Sequence, residues 1–236
     1  MLREMVLSGR FSSGTYLPPV RELAKELEIP KSTVHIVIGV ISILASLLLP
    51  SLGKAKERVK AIHCLNNQKQ TGLAIQSYMS DFSFYFASSN ASKWTTNLML
   101  NSYLSNGDIL CCPSSKVTRY ADSASGWFTY GAIYTNDASS CIQMSAPQFA
   151  HASRVYMLGC SLSIENKKPM FRMFAQDDVS ENYGRPHLIH QQKVNMYFLD
   201  GHAEGKNMTT LRDVVQVPNW VKYAADQSGS VYLKIY

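Results

Sequence analysis

Three histidines, one aspartate and five cysteines are the residues here whose types and spacing could do chemistry. His187, His190 and His202 lie close to Asp200 in sequence. A metal site needs several donors converging in space, and this stretch offers imidazoles and one carboxylate near a single turn. The simpler reading is structural. Asp200 accepts backbone hydrogen bonds within a turn, and His190 packs or hydrogen-bonds against the hairpin that follows. On that reading His190, Asp200 and Gly201 form a structural motif, and neither a metal nor a cofactor is expected. The cysteines, Cys64, Cys111, Cys112, Cys141 and Cys160, are odd in number and sparse. No CxxC pair occurs, so a zinc ribbon or a thioredoxin-type site has no support. Disulfides become available if this part of the chain lies outside the cytoplasm. No GxSxG, Walker A, GxGxxG or HExxH sequence is present. No catalytic residue is expected, and the chain is read as a non-enzyme.

The elements that must carry these residues follow from periodicity. In Lys193 to Leu199, Val194, Met196 and Phe198 alternate with Asn195, Tyr197 and Leu199. Asp200-Gly201 then gives a strong hairpin signal, because both positions tolerate positive φ. Arg154 to Cys160 is apolar enough for a central strand, and Phe128 to Asn136 reads as a strand entering a turn. Lys93 to Leu104 reads as a short helix, Asp108 to Ser115 as a strand or loop, and Val231 to Tyr236 as an edge strand.

The chain has 236 residues, 46% hydrophobic and 17% charged, with 13 Gly, 9 Pro and 11% aromatic residues. Those values exclude collagen-like, low-complexity and wholly disordered chains and suit one or two domains. Residues 1–60 carry nine Lys/Arg against five Asp/Glu, and the remainder 14 against 12. The basic bias therefore sits at the N-terminus, where nucleic acid or anionic lipid is the natural partner.

Val34 to Leu49 is apolar on all sides and holds no formal charge with His35 neutral. As a helix it spans roughly 24 Å, against roughly 30 Å of hydrocarbon. Extension to Ser32 and Leu52 closes that gap. Lys54, Lys56, Arg58 and Lys60 follow at once and suit a headgroup region. A buried core helix is the competing reading, but an all-round apolar surface would need complete enclosure. Thirty-three largely polar residues come first, so this is no cleavable secretory signal. Pro50 is expected to bend the helix. Beyond it Val59, Ile62 and Leu65, then Ala74, Ile75, Tyr78 and Met79, continue an apolar stripe to about Asp81 in a helix of about 45 residues.

Ile43 to Asp81 resembles the N-terminal helix of type II secretion pseudopilins. The likeness is carried by the Leu-rich run ending in Pro50, the Lys-Ala repeat, and a Cys-x-Asn-Asn-x-Lys-Gln-x-Gly block at Cys64, Asn66, Asn67, Lys69, Gln70 and Gly72. Leu110 to Ser114 is similar to the family's Leu-x-Cys-Pro-Ser segment, with Cys112 in the Cys place. Tyr130-Gly131 and His190-x9-Asp200-Gly201 match two further features. The resemblance covers about residues 36 to 204. It implies a membrane anchor, an extracytoplasmic head, and other pseudopilin or secretion-system subunits as partners. The family's Gly, Phe and Glu places at the head of the helix fall on Glu28, Ile29 and Thr33, so its peptidase site is absent.

A second resemblance lies upstream. Leu17, Pro18, Arg21, Glu22, Leu23 and Ala24, then Ser32, Thr33 and Val34, resemble the GntR-type helix-turn-helix. Val20, Leu23, Ala24 and Leu27 form an apolar stripe, Ile29-Pro30 breaks it, and Ser32 is placed to cap the next helix. The resemblance implies that Arg21, Ser32 and Thr33 contact DNA phosphates or bases.

The expected fold is α+β: a long N-terminal helix, membrane-anchoring in its first half, packed on an antiparallel-sheet head and preceded by a helix-turn-helix fragment. The divisions are residues 1–35, 36–82 and 83–236. The expected function is that of a single-pass, membrane-anchored structural or interaction protein of secretion or surface assembly, with its head outside. The alternative is a GntR-like DNA-binding regulator with a C-terminal effector module.

Overall fold

The computed structural model describes residues 19–82, 93–122, 126–133, 152–163, 165–173, 184–216, 219–220, 223–225 and 232–234. Chain contacts divide it into two compact units, Met1–Ala55 and Lys56–Tyr236. The fold is α+β, with a helix longer than expected.

In the first unit α1 spans Val20–Glu26, and α2, Lys31–Phe82, begins after a short turn. Leu23, Ala24, Leu27 and Val34 are buried together, with Val20, Ile29 and Ile38 packed against them. These are the predicted stripe positions, and their burial closes the two helices on each other. The turn is a Schellman closure. Ile29 N donates to the Ala24 carbonyl at 3.1 Å and Glu28 N to the Lys25 carbonyl at 3.4 Å. Glu28 takes the positive φ, 54°, that this motif demands and that glycine usually supplies. The Pro30 carbonyl accepts from Thr33 N and Val34 N. The helix therefore starts at Lys31, and Ser32 lies inside its first turn instead of capping it.

Apart from the partly buried Ile38 and Ala45, the apolar run that follows is exposed. Ile36, Leu49 and Leu52 are each 66% exposed and Leu47 70%. Its serines bond within the helix: Ser42 Oγ to the Ile38 carbonyl at 2.8 Å and Ser46 Oγ to the Ile43 carbonyl at 2.7 Å. The helix continues through Pro50.

In the second unit five strands form one sheet. They are β1 (Gly131–Ile133), β2 (Tyr156–Gly159), β4 (Arg172–Met173), β6 (Val194–Phe198) and β7 (Ala203–Lys206), in the order β4-β1-β2-β6-β7. All pairings are antiparallel except β1 with β4, so the sheet is mixed where an antiparallel one was expected. β3 (Ser161–Leu162) pairs with β5 (Arg185–Pro186) beside it. β6 is an interior strand between β2 and β7, and all five of its residues are buried. Asn195 and Tyr197 face α2: Asn195 Nδ2 donates to the Ala61 carbonyl at 2.8 Å, and Gln68 Nε2 donates to the Asn195 carbonyl at 3.0 Å. β2 is the predicted central strand. The predicted Lys93–Leu104 helix is α3, Trp94–Leu100, anchored by Trp94 Nε1 donating to the Phe171 carbonyl at 2.6 Å. Asp108 to Ser115 opens in a 3-10 turn, Gly107–Leu110, and then loops. The C-terminal strand, Tyr232–Lys234, pairs with Tyr223–Ala225 and stays outside the main sheet.

Of the stripe predicted after Pro50, Ala74, Ile75, Tyr78 and Met79 are buried as expected, but its beginning is corrected. Val59 is 65% exposed and Ile62 59%. Toward the apolar anchor the buried face is instead Cys64, Asn67, Gln68 and Thr71. This part is polar because it bonds to head backbone: Asn67 Nδ2 to the Cys111 carbonyl and Thr71 Oγ1 to the Ile109 carbonyl, both at 3.4 Å.

The hairpin after β6 is also corrected. Gly201 N donates to the Phe198 carbonyl at 3.0 Å, and Phe198 N to the His202 carbonyl at 2.9 Å. The loop is thus three residues, 199–201, with only Gly201 at positive φ, 92°. A two-residue turn lies instead just before β6. His190 and Lys193 exchange backbone hydrogen bonds at 3.0 and 3.1 Å, with Gln191 at φ 53° and Gln192 at φ 63°. That turn type favours Asn-Gly, so Gln191→Asn with Gln192→Gly should stabilise the head by about 1 kcal/mol. Thermal unfolding should shift up by about 2–4 °C; a decrease would contradict the assigned turn.

Candidate metal centre

The most concentrated donor set among the described residues comes from four separate parts of the second unit. Cys64 stands on the inner face of α2. Cys112 lies in the loop after the Gly107–Leu110 turn. Cys160 joins β2 to β3, and His190 opens the turn before β6. One donor atom from each lies within 4.8 Å of every other, and all four residues are buried. Cys64 Sγ is 3.4 Å from Cys160 Sγ, and His190 Nε2 is 3.3 Å from Cys112 Sγ and 3.5 Å from Cys160 Sγ. The 3.4 Å separation is far beyond a disulfide bond of about 2.0 Å, and both thiols are free.

A second layer of donors surrounds the cluster. Gln68 Nε2 reaches Cys64 Sγ and Cys160 Sγ, each at 3.5 Å. The Tyr130 hydroxyl lies 3.3 Å from Cys64 Sγ. Ser114 Oγ sits 3.5 Å from His190 Nδ1, where it helps orient the imidazole ring. Electrostatics separates the thiols. Burial works to raise Cys64, but hydrogen bonds from Cys112, Cys160 and His190 outweigh it and hold Cys64 well below the ordinary thiol value. Burial, then the neighbouring thiols, pushes Cys160 up, and burial likewise leads the rise at Cys112. Burial and the adjacent sulfurs also keep Tyr130 protonated, and therefore a donor. Three sulfurs and an imidazole nitrogen make a soft set suited to zinc-class cations.

Of the residues singled out by sequence, the structure takes His190 into this cluster and leaves Asp200 and Gly201 in the hairpin. Asp200 Oδ1 accepts from His202 N at 3.2 Å, as a turn aspartate should. His202 is bound into the hairpin: it stacks on Phe198 at 4.3 Å and meets Asp200 at 2.5 Å and Glu204 at 3.2 Å. His190 holds the turn before β6 through its backbone, as a structural residue does, and its ring also lies among cysteines. Its partners are cysteines from three distant segments, a grouping no local spacing reveals. Cys111, despite being next to Cys112, points elsewhere, with Sγ 3.9 Å from the Phe128 carbonyl; burial raises its pKa to about 12. Cys141 lies outside the described residues. The signal that could have found the site was in the motif blocks: Cys64, Cys112 and His190 each belong to one.

In the first unit Arg21, Ser32 and Thr33 are all exposed. Leu17 and Pro18 lie outside the described residues. Residues 1–39 match the family model described as bacterial regulatory proteins, gntR family. Neither a curated protein nor a solved structure is significantly similar to the chain. The matched segment is the one in which α1, the Glu28 turn and the start of α2 form a helix-turn-helix, so the chain carries a GntR-like helix-turn-helix segment at its N-terminus.

Proposed function

We propose that this chain is a membrane-anchored structural or interaction protein of pseudopilin-like build, serving secretion or surface assembly, with its head on the extracytoplasmic side. The observation that carries the reading is the largely exposed apolar helical surface from Ile36 to Leu52, whose serine hydroxyls are satisfied inside the helix. From Ile36 to Leu52 a helix that meets its own hydroxyl needs and otherwise exposes hydrocarbon matches the demands of a bilayer. Exposed Lys54, Lys56 and Arg58 follow it at headgroup level. The motif blocks at Cys64–Gly72, Leu110–Ser114 and His190–Gly201 support the pseudopilin part. The role is structural, and the partners are lipid and neighbouring subunits of the same kind.

A second reading is favoured by a specific observation, the gntR-family match over residues 1–39. It makes the chain a DNA-binding regulator, with Arg21, Ser32 and Thr33 at the contact surface and the head as effector module. The comparison bears on this reading directly, whereas the pseudopilin reading rests on the apolar helix and the motif residues. One experiment separates them. Membranes are washed in high salt, then extracted with detergent, and each fraction is tested for DNA retardation. An anchored structural protein stays in the pellet until detergent is added and retards no DNA. A regulator retards DNA with an affinity that falls steeply with salt. Recovery in the aqueous fraction overturns the anchored reading.

A further inference from the structure

We propose that Cys64, Cys112, Cys160 and His190 bind one zinc-class divalent cation in a closed tetrahedral site that pins the head together. The argument begins with size. A tetrahedral ion with zinc–sulfur bonds near 2.3 Å and a zinc–nitrogen bond near 2.05 Å sets sulfurs about 3.8 Å apart and sulfur and nitrogen about 3.6 Å apart. The observed separations are 3.4 Å for Cys64–Cys160 and 3.3 and 3.5 Å for the two His190 pairs. The remaining pairs lie within 4.8 Å, so side-chain shifts of up to about 1 Å bring four donors onto one centre. With all four already supplied by buried protein side chains, no position is left for water or substrate, which assigns a structural role and not a catalytic one.

Charge supports the same occupant. Binding through three thiolates and neutral Nε2 releases the thiol protons to solvent, involves no oxidation, and leaves the centre one unit negative. The Gln68 amide and Tyr130 hydroxyl sit at 3.3–3.5 Å from the sulfurs and donate toward that charge. Outer donors of this kind hold ligand orientation and thiolate charge. The site also explains a face of α2 that hydrophobic burial does not. Cys64 and Gln68, one turn apart and both fully buried, replace the apolar residues that a helix-on-sheet contact normally takes. The closure is long-range: Cys64 and Cys160 are 96 residues apart, Cys112 and His190 78. One ion would therefore tie helix, loop and sheet, restricting the unfolded chain over most of the head.

The test uses the full chain in detergent, purified under reducing conditions without chelator. Elemental analysis should give one zinc per chain. Replacement by cobalt should give the intense thiolate charge-transfer and ligand-field bands of a tetrahedral cobalt–thiolate site. A strong chelator should lower the unfolding temperature, with added zinc restoring it. Cys160→Ser should weaken zinc binding by more than about a hundredfold, and Gln68→Leu by about 10–100-fold. Cys111→Ser, outside the cluster, should retain the metal. The cobalt spectrum of the unaltered chain needs no variant, so misfolding of Cys160→Ser cannot mask the answer. A chain that takes up no stoichiometric zinc or cobalt overturns the proposal. So does a Cys64–Cys160 disulfide found by mass spectrometry in natively isolated protein. Membrane retention is read separately, so the anchor and the metal centre fail or stand independently.

Discussion

Ile41→Asp combined with Leu44→Asp should release the chain from membranes into the aqueous wash. The two side chains are 58% and 54% exposed, on a helical segment where every large apolar residue from Ile36 to Leu49 also lies outside the core except for the partly buried Ile38. They make no packing contribution to either hydrophobic cluster, so the folded units should not register the change. What changes is transfer into hydrocarbon. Each apolar-to-aspartate exchange near the centre of a spanning helix costs about 3 kcal/mol, so the pair costs about 6 kcal/mol, more than 10⁴-fold in partition. A control pair, Ile41→Val with Leu44→Met, should leave retention unchanged. The measurement is the fraction pelleted after a high-salt wash. Equal retention of the aspartate pair and the parent would remove the apolar run as the anchor.

Gly72→Leu should destabilise the head by about 3 kcal/mol. Two effects compete at this position. Replacing a helical glycine gains up to about 1 kcal/mol in propensity. Against it, a Cβ at Gly72 would lie 2.2 Å from Tyr197 Cζ and 2.3 and 2.5 Å from its Cε atoms. Tyr197 is fully buried on the interior strand β6, so its ring has nowhere to retreat. The clash therefore exceeds the propensity gain, and the extra leucine atoms enlarge it. Gly72→Ala should fall between glycine and leucine. A double-mutant cycle with Tyr197→Ala checks the cause, because removing the ring should return part of the loss as a coupling of roughly 1–3 kcal/mol. Strict additivity would assign the destabilisation to something other than this contact.

Gly72 also illustrates how the motif block divides. Within Cys-x-Asn-Asn-x-Lys-Gln-x-Gly, Asn66, Lys69 and Gln70 are exposed, while Cys64, Asn67 and Gly72 face the head. Gln68, which the pattern leaves unspecified, is buried and bonds to both the cluster and β6. The apolar stripe read from Val59 and Ile62 failed for the same reason. Periodicity locates a buried face only when that face is apolar, and here part of it is built of polar groups paired with backbone and sulfur. The turn at Gln191-Gln192 was hidden because neither residue signals positive φ; the surrounding strands and His190 impose it.

What the residues determined alone was local. The uniform hydrocarbon of Val34 to Leu49, the stripe that closes the helix-turn-helix, the alternation of β6 and the glycine of the hairpin all depend on neighbours a few positions apart. Their energetics are set by composition and period. The cysteine–histidine cluster depends on four residues spread between positions 64 and 190. No short-range pattern links them, and each has an ordinary local explanation as a small buried side chain or a turn residue. Only the packing of α2 against a sheet whose order departs from chain order places their donor atoms within 4.8 Å of one another.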